Sequence, residues 1–236
     1  MPRLQGRIVL VTGASRGIGL AIARACADEG AKLILVARHS PPLVRAAKQV
    51  AGDPLALVAD ITRPADVARV FRAVRRRYAR LDALVASAGV FTFKAFTRTT
   101  LAEWRRNIET NLTSLFLTTQ AALPLLAKSR SGHIVNILSI SSRVAFPNCS
   151  AYAASKFGAL GFTKVMAKEL RSKKIRVTAI LPGSTDTRMM EEFDFPIDRS
   201  ALVQPEDVAA AVVCALVQPP RTTVEEVVIM PSRGSL

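Results

Sequence analysis

Along the chain, short runs dominated by Val, Ile, Leu and Ala alternate with longer stretches in which apolar positions recur every three or four residues. The short runs are Arg7–Thr12, Ala31–Ala37, Leu55–Ala59, Ala83–Ser87, His133–Leu138, Arg176–Leu181 and Val227–Met230. Runs this uniformly apolar fit strands buried on both faces of a parallel sheet. The stretches between them predict helices near Ile18–Glu29, Pro42–Val50, Pro64–Tyr78, Leu101–Lys128, Ala151–Arg171 and Pro205–Leu216. Two of these carry start signals: Thr62-Arg63-Pro64-Ala65 offers a capping threonine and a proline in the first turn, and Gln204-Pro205-Glu206-Asp207 sets proline and acids at a beginning. Alternation of strand and helix throughout predicts an α/β fold: a doubly wound, mostly parallel seven-stranded sheet with helices on both faces. No linker-like, repetitive or low-complexity stretch interrupts it, so residues 1–236 are expected to form a single domain, a size that large α/β sheets often reach.

Composition fits that fold, since hydrophobic residues make up 50% of the chain. No apolar run approaches the ~20 residues of a membrane span. Met1-Pro2-Arg3-Leu4-Gln5 does not start a signal-peptide hydrophobic stretch, so a cytoplasmic location is expected. Cys26, Cys149 and Cys214 are widely spaced and read as reduced thiols. No metal site is expected, and His133 reads as the opening residue of a strand. The net charge of +15 changes the picture more. A basic surface can mark nucleic-acid binding, but these arginines are scattered, with one dense run at Arg75-Arg76-Arg77 and Arg80. That run ends a predicted helix, where cations complement the dipole and face solvent. A solvated face is therefore expected in preference to a nucleic-acid site, leaving a general attraction for anionic substrates or carriers.

Two clusters carry candidate chemistry. Gly13, Gly17 and Gly19, in Thr12-Gly-Ala-Ser-Arg-Gly-Ile-Gly19, follow the first strand and open a helix. Glycine allows a sharp turn and close approach to a pyrophosphate, and the helix start offers free N–H groups and a positive dipole end. The second strand ends Val36-Ala37-Arg38-His39, without the carboxylate that would repel a ribose 2′-phosphate, and Arg16 sits inside the glycine turn. Two guanidiniums suit a phosphate, so the expected cofactor is NADP(H) in preference to NAD(H). Asp60, ending the third strand, is expected to border the adenine pocket. In the second cluster, Tyr152 and Lys156 lie at i and i+4 and share a helix face. A nearby ammonium is expected to lower the phenol's pKa from its ordinary value of about 10. Tyr152 then becomes a candidate general acid or base, with Ser139 upstream as its companion.

Taken together, Thr12–Gly19, Asn111, Ser139, Tyr152-x-x-x-Lys156 and Pro182-Gly-Ser-Thr-Asp-Thr187 give a chain that resembles the short-chain dehydrogenase/reductase family, most strongly from Arg7 to Pro182. The resemblance implies a Rossmann-type sheet, nicotinamide-dependent carbonyl–alcohol chemistry and a catalytic set of Asn111, Ser139, Tyr152 and Lys156. Tyr152 is expected to protonate the carbonyl oxygen and Ser139 to hold it. Lys156 would bind the nicotinamide ribose, and Asn111, kinking the helix at Leu101–Lys128, would hold a water. Cofactor contacts are implied for Gly13, Ser15, Arg16, Gly17, Ile18, Gly19, Arg38, Asp60, Ser87, Gly89, Tyr152, Lys156, Pro182, Gly183, Thr185 and Thr187.

The chain departs from that pattern in three places. Ala86-Ser87-Ala88-Gly89 stands where members usually show Asn-Asn-Ala-Gly, and alanine cannot brace neighbouring strands by side-chain hydrogen bonds. A short lid spans about residues 187–204, whose Met189, Met190, Phe193 and Phe195 either close over a ligand or pack on the domain. Val224–Pro231 lacks the Val-Asp-Gly-Gly ending of tetrameric relatives, and the resemblance still implies a homodimer or homotetramer through the helices at Leu101–Lys128 and Ala151–Arg171. Expected pocket walls are Val90-Phe91-Thr92-Phe93, Arg143, Phe146 and Cys149, largely apolar with room for one anionic contact. The pattern resembles 3-oxoacyl-carrier-protein reductases and related carbonyl reductases, so a small-molecule or carrier-bound carbonyl substrate is expected. Acidic carriers would be steered by the +15 charge. An alcohol or sugar dehydrogenase, or a catalytically idle NADP-binding regulator, are the alternatives; four intact catalytic positions speak against the regulator.

Overall fold

Four apolar runs become the centre of a sheet because both faces of each are covered: every residue of β1 (Ile8–Thr12), β4 (Ala83–Ala86), β5 (His133–Ile137) and β6 (Arg176–Pro182) is buried. In this computed structural model, which describes residues 2–193 and 198–234, they join β2 (Lys32–Ala37), β3 (Leu55–Val58) and β7 (Glu226–Ile229). The order is β3-β2-β1-β4-β5-β6-β7, and every pairing is parallel. Uniform burial fails at the two edges, β3 and β7, which are only partly covered because each has a neighbour on one side alone.

Helices α1 (Gly17–Asp28), α2 (Ser40–Ala47), α3 (Pro64–Tyr78), α4 (Leu101–Ile108), α5 (Ser114–Leu126), α6 (Ser150–Glu169) and α7 (Pro205–Leu216) cover the sheet. Strand side chains alternate, so Val9 and Val11 of β1 pack with Ile22, Cys26, Val212 and Leu216 of α1 and α7. Ile8 and Leu10 pack on the other side with Val70, Val74, Leu125 and Met166 of α3, α5 and α6. Strand order reverses between β1 and β4, which opens a crevice at the carboxyl ends of those strands. No helix among the described residues is long and apolar enough to cross a membrane.

Two local expectations are revised. The stretch Leu101–Lys128 is not one helix: a π turn at Glu109–Thr113 separates α4 from α5, and it contains Asn111. Thr62 does not cap α3; its hydroxyl donates to Asp60 at 2.7 Å, and Arg63 takes the cap position with no side-chain bond. A capping box the sequence reading passed over, Thr100 with Glu103, starts α4, while Gln204 with Asp207 starts α7 as the acids there suggested. Arg75, Arg76, Arg77 and Arg80 are exposed at the end of α3, and Arg80 pairs with Asp82 at 3.2 Å.

The missing brace at Ala86 is made good by packing and by another side chain. Ala86 lies in an apolar cluster with Leu115, Leu138, Leu160 and Leu181. The amides of Ser87 and Ala88 both donate to the hydroxyl oxygen of Thr12, at 3.1 and 3.2 Å. Replacing Thr12, itself buried, by the isosteric valine leaves those two amides without an acceptor. Thr12→Val is expected to cost about 1–3 kcal/mol of stability, read as a lowered urea midpoint with unchanged slope.

Candidate active site

A cleft of about 1310 Å³ fills the crevice at the carboxyl ends of β1 and β4. With one exception, every candidate site residue lines it: Gly13, Ser15, Arg16, Gly17, Ile18, Gly19, Arg38, Asp60, Ser87, Gly89, Ser139, Tyr152, Lys156, Pro182, Gly183, Thr185 and Thr187. The exception is Asn111, which stands behind the wall.

At one end, the glycine turn is shaped by close approach. Gly13 has φ +68°, and a Cβ on it would lie 2.7 Å from the Ala88 Cα. A side chain at Gly19 would collide with the Gly13 carbonyl oxygen. Helix α1 then starts at Gly17 with no side-chain cap and no acid in its first turn, so no side chain of its own satisfies the amides facing the cleft. Arg16 and Arg38 are exposed beside it, and neither has an ion-pair partner among the described residues. Asp60 turns one carboxylate oxygen to the amide and hydroxyl of Thr62, at 3.0 and 2.7 Å. A free helix start and glycines pressed against backbone, with two exposed guanidiniums beside them, fit the phosphates of a dinucleotide.

At the other end, Tyr152 and Lys156 project from α6, and Ser139 opens the turn at Ile140–Ser142 after β5. Burial pushes the Tyr152 phenol up to about 12, opposed by its hydrogen bond with Ser139. Lys156 donates to the Ile137 carbonyl at 3.2 Å, and burial pushes its ammonium down to about 8. The expected acidification of Tyr152 by Lys156 is not met. The ammonium lies over the tyrosine ring, 5.7 Å from its centroid, and does not offset the loss of water around the phenol. In this state Tyr152 is a neutral proton donor.

Asn111 is tied on three sides. Its amide nitrogen donates to Val90 O and Ser155 Oγ, both at 2.9 Å, and its oxygen accepts from Val90 N at 2.9 Å. Ser155 in turn donates to the Tyr152 carbonyl at 2.6 Å. The side chain is therefore spent on holding the wall and on linking it to α6. Thr187 Oγ1 accepts from Met189 N at 3.2 Å, and Thr185 Oγ1 donates to Gly183 O at 2.9 Å, so both shape the base of the lid.

The wall beside Tyr152 is aromatic. Phe91 meets the Tyr152 ring edge-on at 4.8 Å and 88°. Phe193 of the lid lies 5.3 Å from Phe91 and 4.7 Å from Phe93, and Met189, Phe146 and Cys149 pack around them. Of the two readings of the lid, packing on the domain is the one seen, with Met189 and Phe193 set against the wall beside Tyr152. Phe195 lies outside the described residues. Of the expected walls, Arg143 is elsewhere: it pairs with Glu226 at 2.7 Å and does not line the cleft. Thr92 is buried behind the wall, accepting from Asn107 at 2.8 Å. Arg106, which the sequence reading missed, lines the cleft and donates to the Phe91 carbonyl at 3.0 Å.

Comparison with known proteins adds to this geometry. A family model described as short chain dehydrogenase matches residues 7–195. An uncharacterised oxidoreductase of Staphylococcus saprophyticus is 34% identical over 235 residues, covering 98% of this chain and 100% of its own. One from Staphylococcus aureus is 35% identical over 232 residues, with the same coverage. A metagenomic short-chain oxidoreductase solved in complex with NADP is 31% identical, with a TM-score of 0.86 over 98% of this chain and 99% of that one. An alcohol dehydrogenase of the archaeon Thermococcus sibiricus, complexed with 5-hydroxy-NADP, is 27% identical, with a TM-score of 0.90 at the same coverage.

The buried ammonium is a local cost to stability. A fall from the ordinary 10.5 to about 8 corresponds to on the order of 3 kcal/mol held against folding at neutral pH. Between about 8 and 10.5 the unfolded chain keeps a proton the folded protein has lost, so the parent gains stability as pH rises through that window. Lys156→Met is therefore expected to unfold at a higher temperature than the parent at pH 7, with the gap narrowing toward the top of the window; calorimetry across that range checks it.

Proposed function

This chain belongs to the short-chain dehydrogenase family, and on that premise we propose that it moves a hydride equivalent between NADP(H) and a carbonyl or secondary alcohol, with Tyr152 as general acid. The observation that carries the reading is a single cleft with a phosphate-type cradle at one end and the buried pair Tyr152 and Lys156 at the other.

The cradle is Gly13, Ser15, Arg16, Gly17, Ile18 and Gly19, with Arg38 and Asp60 on the adenosine side and Ser87, Gly89, Pro182, Gly183, Thr185 and Thr187 along the rest of the groove. Bound there, the dinucleotide supplies the hydride that the carbonyl carbon accepts. In reduction, Tyr152 gives its hydroxyl proton to the carbonyl oxygen, the product leaves as a neutral alcohol, and the tyrosine is reprotonated from solvent. Burial keeps the phenol protonated, so the proton is present to be given, and the same burial makes it a weaker acid than a free phenol. Ser139 adds a second donor aimed at the same oxygen. Lys156, charged below about pH 8, keeps one N–H on Ile137 and has others for the ribose hydroxyls and for the charge left on Tyr152. Asn111 acts through the wall it fixes and is a positioning residue. Self-association belongs to the same reading, since Phe116 on α5 and Phe157 and Val165 on α6 are large apolar side chains left exposed.

Tyr152→Phe keeps the ring and its contact with Phe91 but removes the proton. Ketone reduction is expected to fall by roughly 10²–10⁴, while NADPH still quenches protein fluorescence with near-parent affinity; a near-parent kcat would remove Tyr152 from the chemistry. For the cofactor, Arg38→Asp replaces a cation by a group that repels a 2′-phosphate and accepts ribose hydroxyls. The kcat/KM ratio of NADPH to NADH is expected to fall by roughly 10–100-fold, the range of one or two hydrogen bonds to a charged group. A parent enzyme that prefers NADH at equal concentration overturns the assignment.

A further inference from the structure

The reading above leaves the substrate open, and the half of the cleft beyond Tyr152 narrows it. That half has one fixed wall and one carried on the lid. The fixed wall is the segment after β4, and it is pinned at Val90, Phe91, Thr92 and Lys94. Val90 is held through both its amide and its carbonyl by Asn111, at 2.9 Å each. The Phe91 carbonyl accepts from Arg106 at 3.0 Å, the Thr92 hydroxyl accepts from Asn107 at 2.8 Å, and Lys94 N donates to Asn148 O at 2.7 Å. These bonds come from three directions: α4, the π turn and the loop before α6. Phe91 and Phe93 therefore meet a ligand already ordered, at little entropic cost on binding. The second wall is the lid's Phe193, set at 40° to Phe91 and 46° to Phe93. Tilted and edge-on rings at such spacings are the arrangement in which aromatic quadrupoles attract. The sulfurs of Met189 and Cys149 complete the lining.

Charge points the same way. Three arginines that line the cleft, on α4 and the lid, are engaged: Arg106 by the wall's own oxygen atoms, Arg188 by Glu191 at 3.0 Å, and Arg199 by Asp186 at 3.0 Å. Glu191, Glu192 and Asp186 also line it. An anionic ligand finds its cations here already satisfied, in contrast to the unpaired Arg16 and Arg38 at the cofactor end.

We propose that the substrate is an uncharged ketone bearing an aryl group next to the carbonyl, with the aryl ring laid against the cleft side of the packed cluster of Phe91, Phe93 and Phe193 while the carbonyl oxygen faces Tyr152 and Ser139. The proposal rests on the reductase reading and selects among its substrates. It disfavours 2-oxo acids, for want of a free cation, and 3-oxoacyl thioesters, whose flexible chains gain less than a ring does from aromatic faces and edges.

The test uses purified full-length protein, NADPH and four carbonyl compounds: acetylbenzoyl, diacetyl, phenylglyoxylate and acetoacetyl-coenzyme A. The first two differ only in phenyl for methyl, and the third keeps the phenyl ketone but carries a carboxylate in place of the acetyl group. Acetylbenzoyl is expected to exceed diacetyl in kcat/KM by at least about tenfold, the worth of burying one ring with favourable aromatic contacts, and to exceed phenylglyoxylate and the thioester as well. Phe193→Ala and Phe93→Ala should each cut the acetylbenzoyl-to-diacetyl ratio by about tenfold, chiefly through KM. Thermal unfolding run alongside separates loss of selectivity from loss of fold, and the parent's own ranking decides the matter without either variant. If diacetyl, phenylglyoxylate or the thioester equals or exceeds acetylbenzoyl, the aryl assignment falls and the reductase reading stands. If NADPH binds and no carbonyl compound is reduced, the reductase reading falls and takes this proposal with it.

Discussion

The segment between β4 and Phe91 is the constraint on which both ends of the cleft depend. Thr12 holds it from β1 by accepting from Ser87 and Ala88, and Asn111 holds it from the π turn by bonding Val90 through both backbone groups. Between those anchors the backbone runs so close to the glycine turn that only hydrogen fits at Gly13. It also runs so close to α6 that a Cβ on Gly89 would lie 3.9 Å from Lys156 Nζ. A shift of even half an ångström there would move the cofactor cradle, the lysine and the aromatic wall together. That coupling explains how the chain tolerates alanine at position 86: the side chain that fixes this stretch is Thr12, and Ala86 only has to fill space among leucines.

The two ends of the cleft use charge in opposite ways. Arg16 and Arg38 are exposed, cost little to keep charged and act at long range, so their attraction weakens with salt. Lys156 is buried, and its charge is held at a cost that shows in its lowered proton affinity. In the proposed reaction a group kept charged in such a place is worth most to the transition state, because nothing nearby has to reorganise as charge develops. Tyr152 is the complement, a group kept neutral by the same burial.

Much of this was legible in the sequence for a definite reason. Strands buried on both faces must be apolar throughout, so β1, β4, β5 and β6 stand out within a residue of their limits, and the glycine turn and the Tyr152–Lys156 spacing follow local geometry. What escaped depends on contacts between distant segments. Nothing in Leu101–Lys128 marks a π turn, because the bonds that accompany it come from Asn111 to Val90 and Ser155. Arg143 is near Ser139 in sequence but on the far side of the turn, where Glu226 from β7 takes it. Arg106 reads as one more surface cation until its reach to Phe91 is seen. Edge strands looked like central ones, since an edge is a property of sheet order and not of the strand's own residues.

Proximity of Tyr152 to Lys156 was legible too, but its electrostatic consequence was not. Spacing on a helix fixes which side chains are neighbours; it does not fix how much water they lose. Here the solvent lost around the phenol outweighs the nearby ammonium, which lies 5.7 Å from the ring centroid. The apolar wall beside the phenol, with Phe91 edge-on to Tyr152 and Phe193 packed on it from the lid, contributes to that loss of water. In the proposed reaction, acid strength and substrate preference are therefore not independent settings. A polar substitution on that wall, introduced to admit a hydrophilic ligand, would rehydrate the phenol and lower its pKa at the same time, so selectivity and proton donation must change together.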